Sequence, residues 1–335
     1  MLSIAVGVLC LHRAGRKSRR PDGTVVSMRA TGSMFGLAYG DALGKPVEFK
    51  KYPAIVAAFG PGGPTELPKK ALVTDDTQMA LAVGWALLKD GDLVQNLTTN
   101  FIRWMKSPDN NRAPGHTCMR ACLKLDYGLP WQQASIRSSK GCGANMRVTP
   151  VGLVRAYDED TVAYVAQLQA AMTHGHPTAL AAAELTAFAV RFLINGASLL
   201  ELPELLIERC RSQREVVRLD GFSSPHGWDE CREALERVKV ALSTKDDGGD
   251  VCEQTGQGWI AEEALASAMH AALRHPDDPV AALGRACATN GDSDSIACLT
   301  GALHGAAYGM DVWPAQWSRR IEYRDQLTQL GAAWD

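Results

Sequence analysis

The chain has 335 residues, of which 46% are hydrophobic, and its formal net charge is −2. This length suffices for one large domain or two ordinary ones, and the apolar content is normal for a packed globular protein. The near-neutral charge balance excludes an overall electrostatic attraction to nucleic acid or to acidic membranes.

The N-terminal segment combines a mostly apolar stretch, residues 1–11, with a basic stretch, residues 13–20. A secretory signal has its charges before the apolar stretch, so the order here is reversed. The apolar stretch is also too short to span a bilayer. We therefore predict that residues 1–27 form a disordered extension and that 28–335 form the folded domain, leaving open whether Met1 or Met28 is the true start.

Alanine-rich segments with helical spacing dominate the rest of the chain. They predict helices over the following ranges: 76–89, 178–194, 259–273 and 296–308. Segment 178–194 is apolar nearly all round, which favours a buried helix. No stretch of alternating β-branched residues is convincing, and the loops at 61–64, 107–115 and 245–250 do not resemble domain linkers. We predict an all-α fold, a single compact multi-helix domain.

The first acidic cluster is Thr74–Thr77, with the sequence TDDT, directly before a predicted helix. A helix start favours Thr or Asp as a cap and acids in its first turn. Capping explains one acid, but it does not explain two acids followed by another hydroxyl. Earlier in the chain, Asp41 is expected to cap or brace a turn, and Glu48 is the better candidate for a metal or substrate contact.

The second acidic cluster, Gly291–Ser295, repeats this arrangement before the helix at 296–308. A calcium loop is excluded because Leu303 occupies the twelfth position, where a glutamate is needed. Carboxylates and hydroxyls are hard oxygen ligands that suit Mg²⁺ or Mn²⁺ rather than zinc. Because four clustered aspartates would repel each other without cations, the two clusters together predict a binuclear site within one domain.

Two further motifs are weaker by themselves. The glycine-rich stretch 139–147 could hold phosphate through its backbone N–H groups, although a structural turn is the more common case. His174 and His176 flank a predicted helix junction, and for His176 we favour a turn over a metal ligand. The nine cysteines include no CxxC pair and fit reduced thiols in a cytoplasmic protein, with Cys118 and Cys122 as packing residues.

Taken in order, these motifs resemble the ADP-ribosylglycohydrolase family. The matching segments are GSMFGLAYGDALGKPVEF (32–49), TDDTQMAL (74–81), KGCGANMRVTPVGL (140–153), THGHPTALAAAELTAF (173–188), QGWIAEEALASA (257–268) and NGDSDSIACLTGALHGAAYG (290–309). The resemblance covers about residues 30–320. It implies an all-α fold with a central cleft that holds two Mg²⁺ or Mn²⁺ ions.

By matching position, the resemblance also implies roles for individual residues. The metal ligands would be Thr74, Asp75, Asp76, Asp292, Asp294 and Ser295. The catalytic candidates are Glu48, Asp75 and Asp292, and the substrate-binding candidates are Ser139, Gly141, Cys142, Gly143 and His174. Cys142 stands where some relatives carry Asn, and Lys140 stands where some carry Tyr.

The implied activity is metal-dependent hydrolysis of the glycosidic bond between ADP-ribose and an acceptor. The acceptor could be an arginine or serine side chain, an acyl group or a nucleotide. The alternatives are a two-metal hydrolase of nucleotide phosphates and a non-catalytic ADP-ribose-binding relative. We expect an ADP-ribosylated substrate as the binding partner, no association with membranes and a cytoplasmic location. Nucleic-acid binding is not indicated, although an ADP-ribosylated base is one of the acceptors that remain open.

Overall fold

The computed structural model describes residues 18–19, 25–26, 28–246 and 248–335. Within them, the prediction of an all-α fold is confirmed. The helices are α1 Arg29–Gly44, α2 Tyr52–Phe59, α3 Asp75–Leu88, α4 Leu93–Met105, α5 His116–Asp126, α6 Trp131–Ala134, α7 Thr149–Leu153, α8 Glu159–Ala171, α9 Pro177–Ile194, α10 Leu202–Gln213, α11 Pro225–Ser243, α12 Cys252–Thr255, α13 Ala261–Arg274, α14 Pro279–Cys287, α15 Ser293–Tyr308 and α16 Arg324–Trp334. Short 3₁₀ turns lie at Cys142–Ala144, Leu199–Glu201, Met310–Val312 and Trp317–Arg319.

The N-terminal extension contributes two short strands, β1 Ser18–Arg19 and β2 Val25–Val26, which pair antiparallel. The remainder of the segment that we predicted as disordered, residues 1–27, lies outside the described residues.

The four helices predicted from periodicity correspond to α3, α9, α13 and α15. Helix α9 is the buried core helix that its all-round apolar pattern predicted, and helices α7, α8, α10, α11, α13 and α15 pack around it. It is long and apolar enough to cross a membrane, yet 89% of it is buried inside the molecule. The single acid in its middle, Glu184, is fully buried and forms an ion pair of 2.6 Å with Arg209.

Glycines spaced four apart allow helices α1 and α15 to touch backbone to backbone. A Cβ added to Gly301 would lie 1.9 Å from the carbonyl oxygen of Gly36, and one added to Gly305 would lie 2.0 Å from that of Gly32. Only glycine permits this approach, because any larger residue would force the helices apart.

At the end of α1, a Cβ on Gly44 would lie 2.4 Å from the Cα of Asp294. The close packing therefore brings Asp41 and the turn after α1, which carries Glu48, beside the start of α15, where the second acidic cluster begins.

Candidate active site

A cleft of about 750 Å³ lies where the N-terminal ends of α3 and α15 meet the glycine-rich turn before α7. The sequence predicts twelve metal, catalytic or substrate-binding residues. Ten of them line the cleft: Glu48, Asp75, Asp76, Gly141, Cys142, Gly143, His174, Asp292, Asp294 and Ser295. Both acidic clusters and the glycine-rich turn therefore face one space, although they are far apart in the sequence.

The other two residues, Thr74 and Ser139, do not line the cleft but lie directly behind it. The Thr74 hydroxyl caps α3 by accepting a hydrogen bond from the N–H of Asp76, and it lies 3.2 Å from Oδ2 of the same aspartate. The Ser139 hydroxyl lies 3.0 Å from that of Thr117, which does reach the cleft.

Asp41 fixes the first cluster to helix α1. Its carboxylate accepts hydrogen bonds from the backbone N–H groups of Thr74 (2.9 Å) and Thr77 (3.1 Å), and from both of their hydroxyls at 2.8 and 2.6 Å. Burial and the nearby Asp294 raise the pKa of Asp41 to about 7, although these hydrogen bonds oppose the rise. Asp41 thus braces the start of α3 from within α1.

The acids of the cleft crowd each other. Burial and repulsion from Asp294 raise the pKa of Asp75 to about 7, against the opposing effect of the hydrogen bond from the N–H of Gly115, and they raise the pKa values of Asp76 and Asp292 well above the ordinary range. Burial, Asp294 and Asp292 raise the pKa of Glu48 to about 10.

No described lysine, arginine or histidine forms an ion pair with these carboxylates. Glu184 in the core, in contrast, has its own arginine partner. The cleft therefore concentrates negative charge that the described residues do not neutralise by contact.

One carboxylate oxygen of the first acidic cluster is left without a partner. Oδ1 of Asp76 is buried and has no hydrogen bond to any described residue. Buried carboxylate oxygens without partners are costly, so this atom is available to a ligand. Among the described residues, no three His, Cys, Asp or Glu side chains converge tightly enough to make a closed ligand set. A cation at this position would need the hydroxyl oxygens of the clusters, or water, as additional donors.

The glycine-rich turn is held by its neighbours. The backbone N–H of Cys142 donates to the carbonyl of Trp259 (3.1 Å), so this N–H is not available to a phosphate. The Cys142 thiol lies 2.9 Å from Oδ2 of Asp292 and donates to it. His176 caps α9 by accepting a hydrogen bond from the N–H of Thr178, which agrees with its interpretation as a turn residue.

Sequence reasoning missed an aromatic pair at the mouth of the cleft. The rings of Phe49 and Trp259 stack with centroids 5.9 Å apart and planes 9° apart, and both line the cleft. Phe49 is 66% exposed and has a left-handed backbone with φ of 64°. Because Phe49 directly follows Glu48, this stacking holds the segment that carries the glutamate. Phe49 and Trp259 are far apart in the chain, so no local sequence pattern could predict their contact.

Sequence comparison gives a family-level match over nearly the whole chain. The model of the ADP-ribosylglycohydrolase family matches residues 23–334. Similar proteins include the ADP-ribosyl-[dinitrogen reductase] glycohydrolase of Rhodospirillum rubrum, 28% identical over 90% of this chain and 93% of its own length. The ADP-ribosylarginine hydrolase Tri1 of Serratia proteamaculans is 26% identical over 90% and 77%. The ADP-ribosylhydrolase ARH3 of Bos taurus is 28% identical over 90% and 91%.

Structure comparison agrees with this match. A solved structure described as an ADP-ribosylglycohydrolase-related protein complex superposes with a TM-score of 0.68 at 26% identity. The match covers 91% of this chain and 96% of the other.

Proposed function

Because the chain belongs to the ADP-ribosylglycohydrolase family, we propose that it hydrolyses the glycosidic bond between ADP-ribose and an acceptor, releasing ADP-ribose. The observation that carries this proposal is the cleft in which both acidic clusters meet the glycine-rich turn without a cationic partner. A pocket of about 750 Å³ lies within the range of sites for small ligands.

The proposal includes two divalent cations, Mg²⁺ or Mn²⁺. The residues that would hold them are Thr74, Asp75, Asp76, Asp292, Asp294 and Ser295. Three features support this: every donor is a hard oxygen, Asp76 has a buried oxygen without a partner, and the crowded carboxylates raise each other's pKa values. Bound cations would neutralise this charge, bind ribose hydroxyls and lower the pKa of a water molecule.

The chain's own residues would then orient the substrate and handle one proton. Glycoside hydrolysis passes through an oxocarbenium-like transition state and needs a group that takes a proton from water. Among Glu48, Asp75 and Asp292 we favour Glu48. The carboxylates of Asp75 and Asp292 already accept hydrogen bonds from backbone N–H groups, whereas the Glu48 carboxyl interacts with the side chain of Asp294 and accepts from no described backbone N–H.

The charge of the cleft also decides when Glu48 can act as a base. Burial, with Asp294 and Asp292 as further causes, raises the pKa of Glu48 to about 10, so without cations its carboxyl is protonated at neutral pH. Neutralising those two aspartates would remove their repulsion and lower the pKa of Glu48, while burial would continue to raise it.

We place the glycine-rich turn and His174 around the pyrophosphate and ribose of the substrate, with Gly141, Cys142 and Gly143 at the wall of the cleft and Ser139 behind it. For the acceptor, an arginine linkage is the first to test, because one of the similar proteins is named an ADP-ribosylarginine hydrolase. We propose the cytoplasm as the location.

A panel of acceptors tests the proposal. The protein is incubated with ADP-ribosyl-arginine and ADP-ribosyl-serine peptides, first with Mg²⁺ and then with EDTA. We expect free ADP-ribose from at least one of them and only with the cation. Release of AMP would instead indicate a hydrolase of nucleotide phosphates, and no turnover despite bound cation would indicate a binding protein.

A further inference from the structure

Behind the cleft lies a buried cation, Arg147, without an acidic partner. Its guanidinium is fully buried and donates to the side chain and the carbonyl of Gln169, at 2.7 and 2.6 Å, and to the hydroxyl of Thr173 at 2.8 Å. It also lies 4.6 Å above the ring of Phe101. Arginine can only donate hydrogen bonds, so the oxygen of Thr173 must accept one here.

The single proton of the Thr173 hydroxyl then has two possible acceptors within reach. The oxygen lies 2.7 Å from Nδ1 of His174 but 3.4 Å from the carbonyl of Ala170. The carbonyl of Ala170 already accepts from the backbone N–H groups of Thr173 (3.0 Å) and His174 (2.8 Å), so the hydroxyl donates along the shorter contact to Nδ1. A histidine that accepts at Nδ1 carries its proton on Nε2 when the ring is neutral.

The ring is neutral because His174 is only 2% exposed and faces the charge of Arg147. Burial, with Arg147 as a second cause, holds the pKa of His174 well below its ordinary value.

The other side of the imidazole faces the cleft. Nε2 forms no hydrogen bond to the described residues, and His174 lines the cleft beside Gly141 and Gly143. A Cβ on either glycine would lie 3.3 Å from Nε2. The two glycines therefore leave the nitrogen uncovered towards the space where the substrate would lie.

We propose that Arg147 and Thr173 are positioning residues that lock His174 as its Nε2–H tautomer, a neutral hydrogen-bond donor to an oxygen of the substrate. In this form His174 has no lone pair on the side of the cleft. It can therefore neither ligate a metal there nor take a proton from the substrate. The identity of the substrate oxygen rests on the proposed function, whereas the tautomer does not.

The tautomer is tested by the nitrogen-15 spectrum of histidine-labelled full-length protein at neutral pH. The signals of His174, one of eight histidines, are identified as those missing in His174→Gln. We expect the Nε2–H form in the wild-type protein and in Thr173→Ser, which keeps the hydroxyl. In Thr173→Val, which has a similar shape but no hydroxyl, the signals should move to a mixture of tautomers.

Binding of ADP-ribose supplies the second measurement. Loss of one oriented hydrogen bond should weaken binding about five-fold in Thr173→Val, and Thr173→Ser should restore the wild-type affinity. A wild-type His174 in the Nδ1–H or imidazolium form would overturn the inference, even if Thr173→Val does not fold. An unchanged tautomer in folded Thr173→Val would overturn the role of Thr173. If the tautomer is as expected but neither the wild-type protein nor any variant binds ADP-ribose, the proposed function is wrong, while the assignment of the tautomer to Arg147 and Thr173 is retained.

Discussion

Without divalent cations, the acidic cleft should make the protein less stable as the pH rises from about 4 to about 7. The Asp75 carboxyl has a pKa of about 7 in the folded protein, against 3.8 for a free aspartate side chain, which we take for the unfolded chain. Between these values the unfolded chain releases the proton and the folded chain retains it. The folded state thus binds more protons in this interval, so the free energy of unfolding falls with each pH unit. Above about pH 7 it falls no further on account of Asp75.

The magnitude follows from the size of the shift. One pKa unit corresponds to about 1.4 kcal/mol, so the shift of Asp75 alone corresponds to a loss of about 4 kcal/mol. That is a large part of the 5–15 kcal/mol, roughly, that stabilises an ordinary domain. Asp76 and Asp292 shift in the same direction, but because the three acids repel each other their losses do not add independently.

Buried histidines act with the opposite sign over part of this range. Burial lowers the pKa of His270 and His304 to about 4, so these residues stabilise the fold as the pH rises from about 4 to about 6.5. The histidine contribution cancels when the free energies of unfolding of two variants, or of one protein with and without Mg²⁺, are subtracted at the same pH.

Urea denaturation at a series of pH values measures this difference. In EDTA, the free energy of unfolding of the wild type minus that of Asp75→Asn should become more negative from pH 4 to 7, by a few kcal/mol. Saturating Mg²⁺ should stabilise the wild type most at the upper end, because cation binding requires ionised carboxylates. Asp277→Asn, which removes an exposed acid, is the matched control and should give a flat difference. A flat difference for Asp75→Asn as well would refute the idea of unneutralised charge in the cleft.

Three further predictions concern single substitutions. Asp292→Asn should abolish turnover and weaken Mg²⁺ binding, measured by calorimetry, while circular dichroism shows an intact fold; full activity would contradict the assigned site. Gly301→Ala places a Cβ 1.9 Å from a backbone oxygen and should lower the free energy of unfolding by about 1–3 kcal/mol, whereas Gly62→Ala, which meets nothing within 4 Å, should be neutral. Phe49→Ala should speed tryptic cleavage at Lys50–Lys51, with Phe49→Tyr protected as in the wild type; equal cleavage of all three would show that the stacking does not hold this segment.

Much of the fold could be predicted because its signals are local. Helices α9 and α15 follow from apolar periodicity and from the capping residues at their starts. The four-residue spacing of Gly301, Gly305 and Gly309 is likewise a local signal, and it marks the close packing of α15 on α1. The partner stripe on α1, with Gly32 and Gly36, has the same four-residue spacing and could have been found by the same test.

The interior of the site was harder to predict, because it depends on contacts between distant segments. The hydroxyl of Thr74 lies behind the cleft because Asp41 binds it, and Phe49 meets Trp259 only after α1 and α15 have packed. The buried cation Arg147 gave no sequence signal either, since its partners Gln169, Thr173 and Cys118 lie more than twenty residues away in the chain.

The contrast between two groups of buried acids explains why the cleft points to a ligand. In the core, the chain surrounds Glu184 with the guanidinium of Arg209 and the amide of Gln167, so its charge is matched within the fold. In the cleft, Arg147 lies close enough to influence Asp75, yet its hydrogen bonds go to Gln169, Thr173 and Cys118 instead. A fold that can neutralise a buried acid with arginine leaves this cluster open, which supports the proposal that a bound cation supplies the missing positive charge.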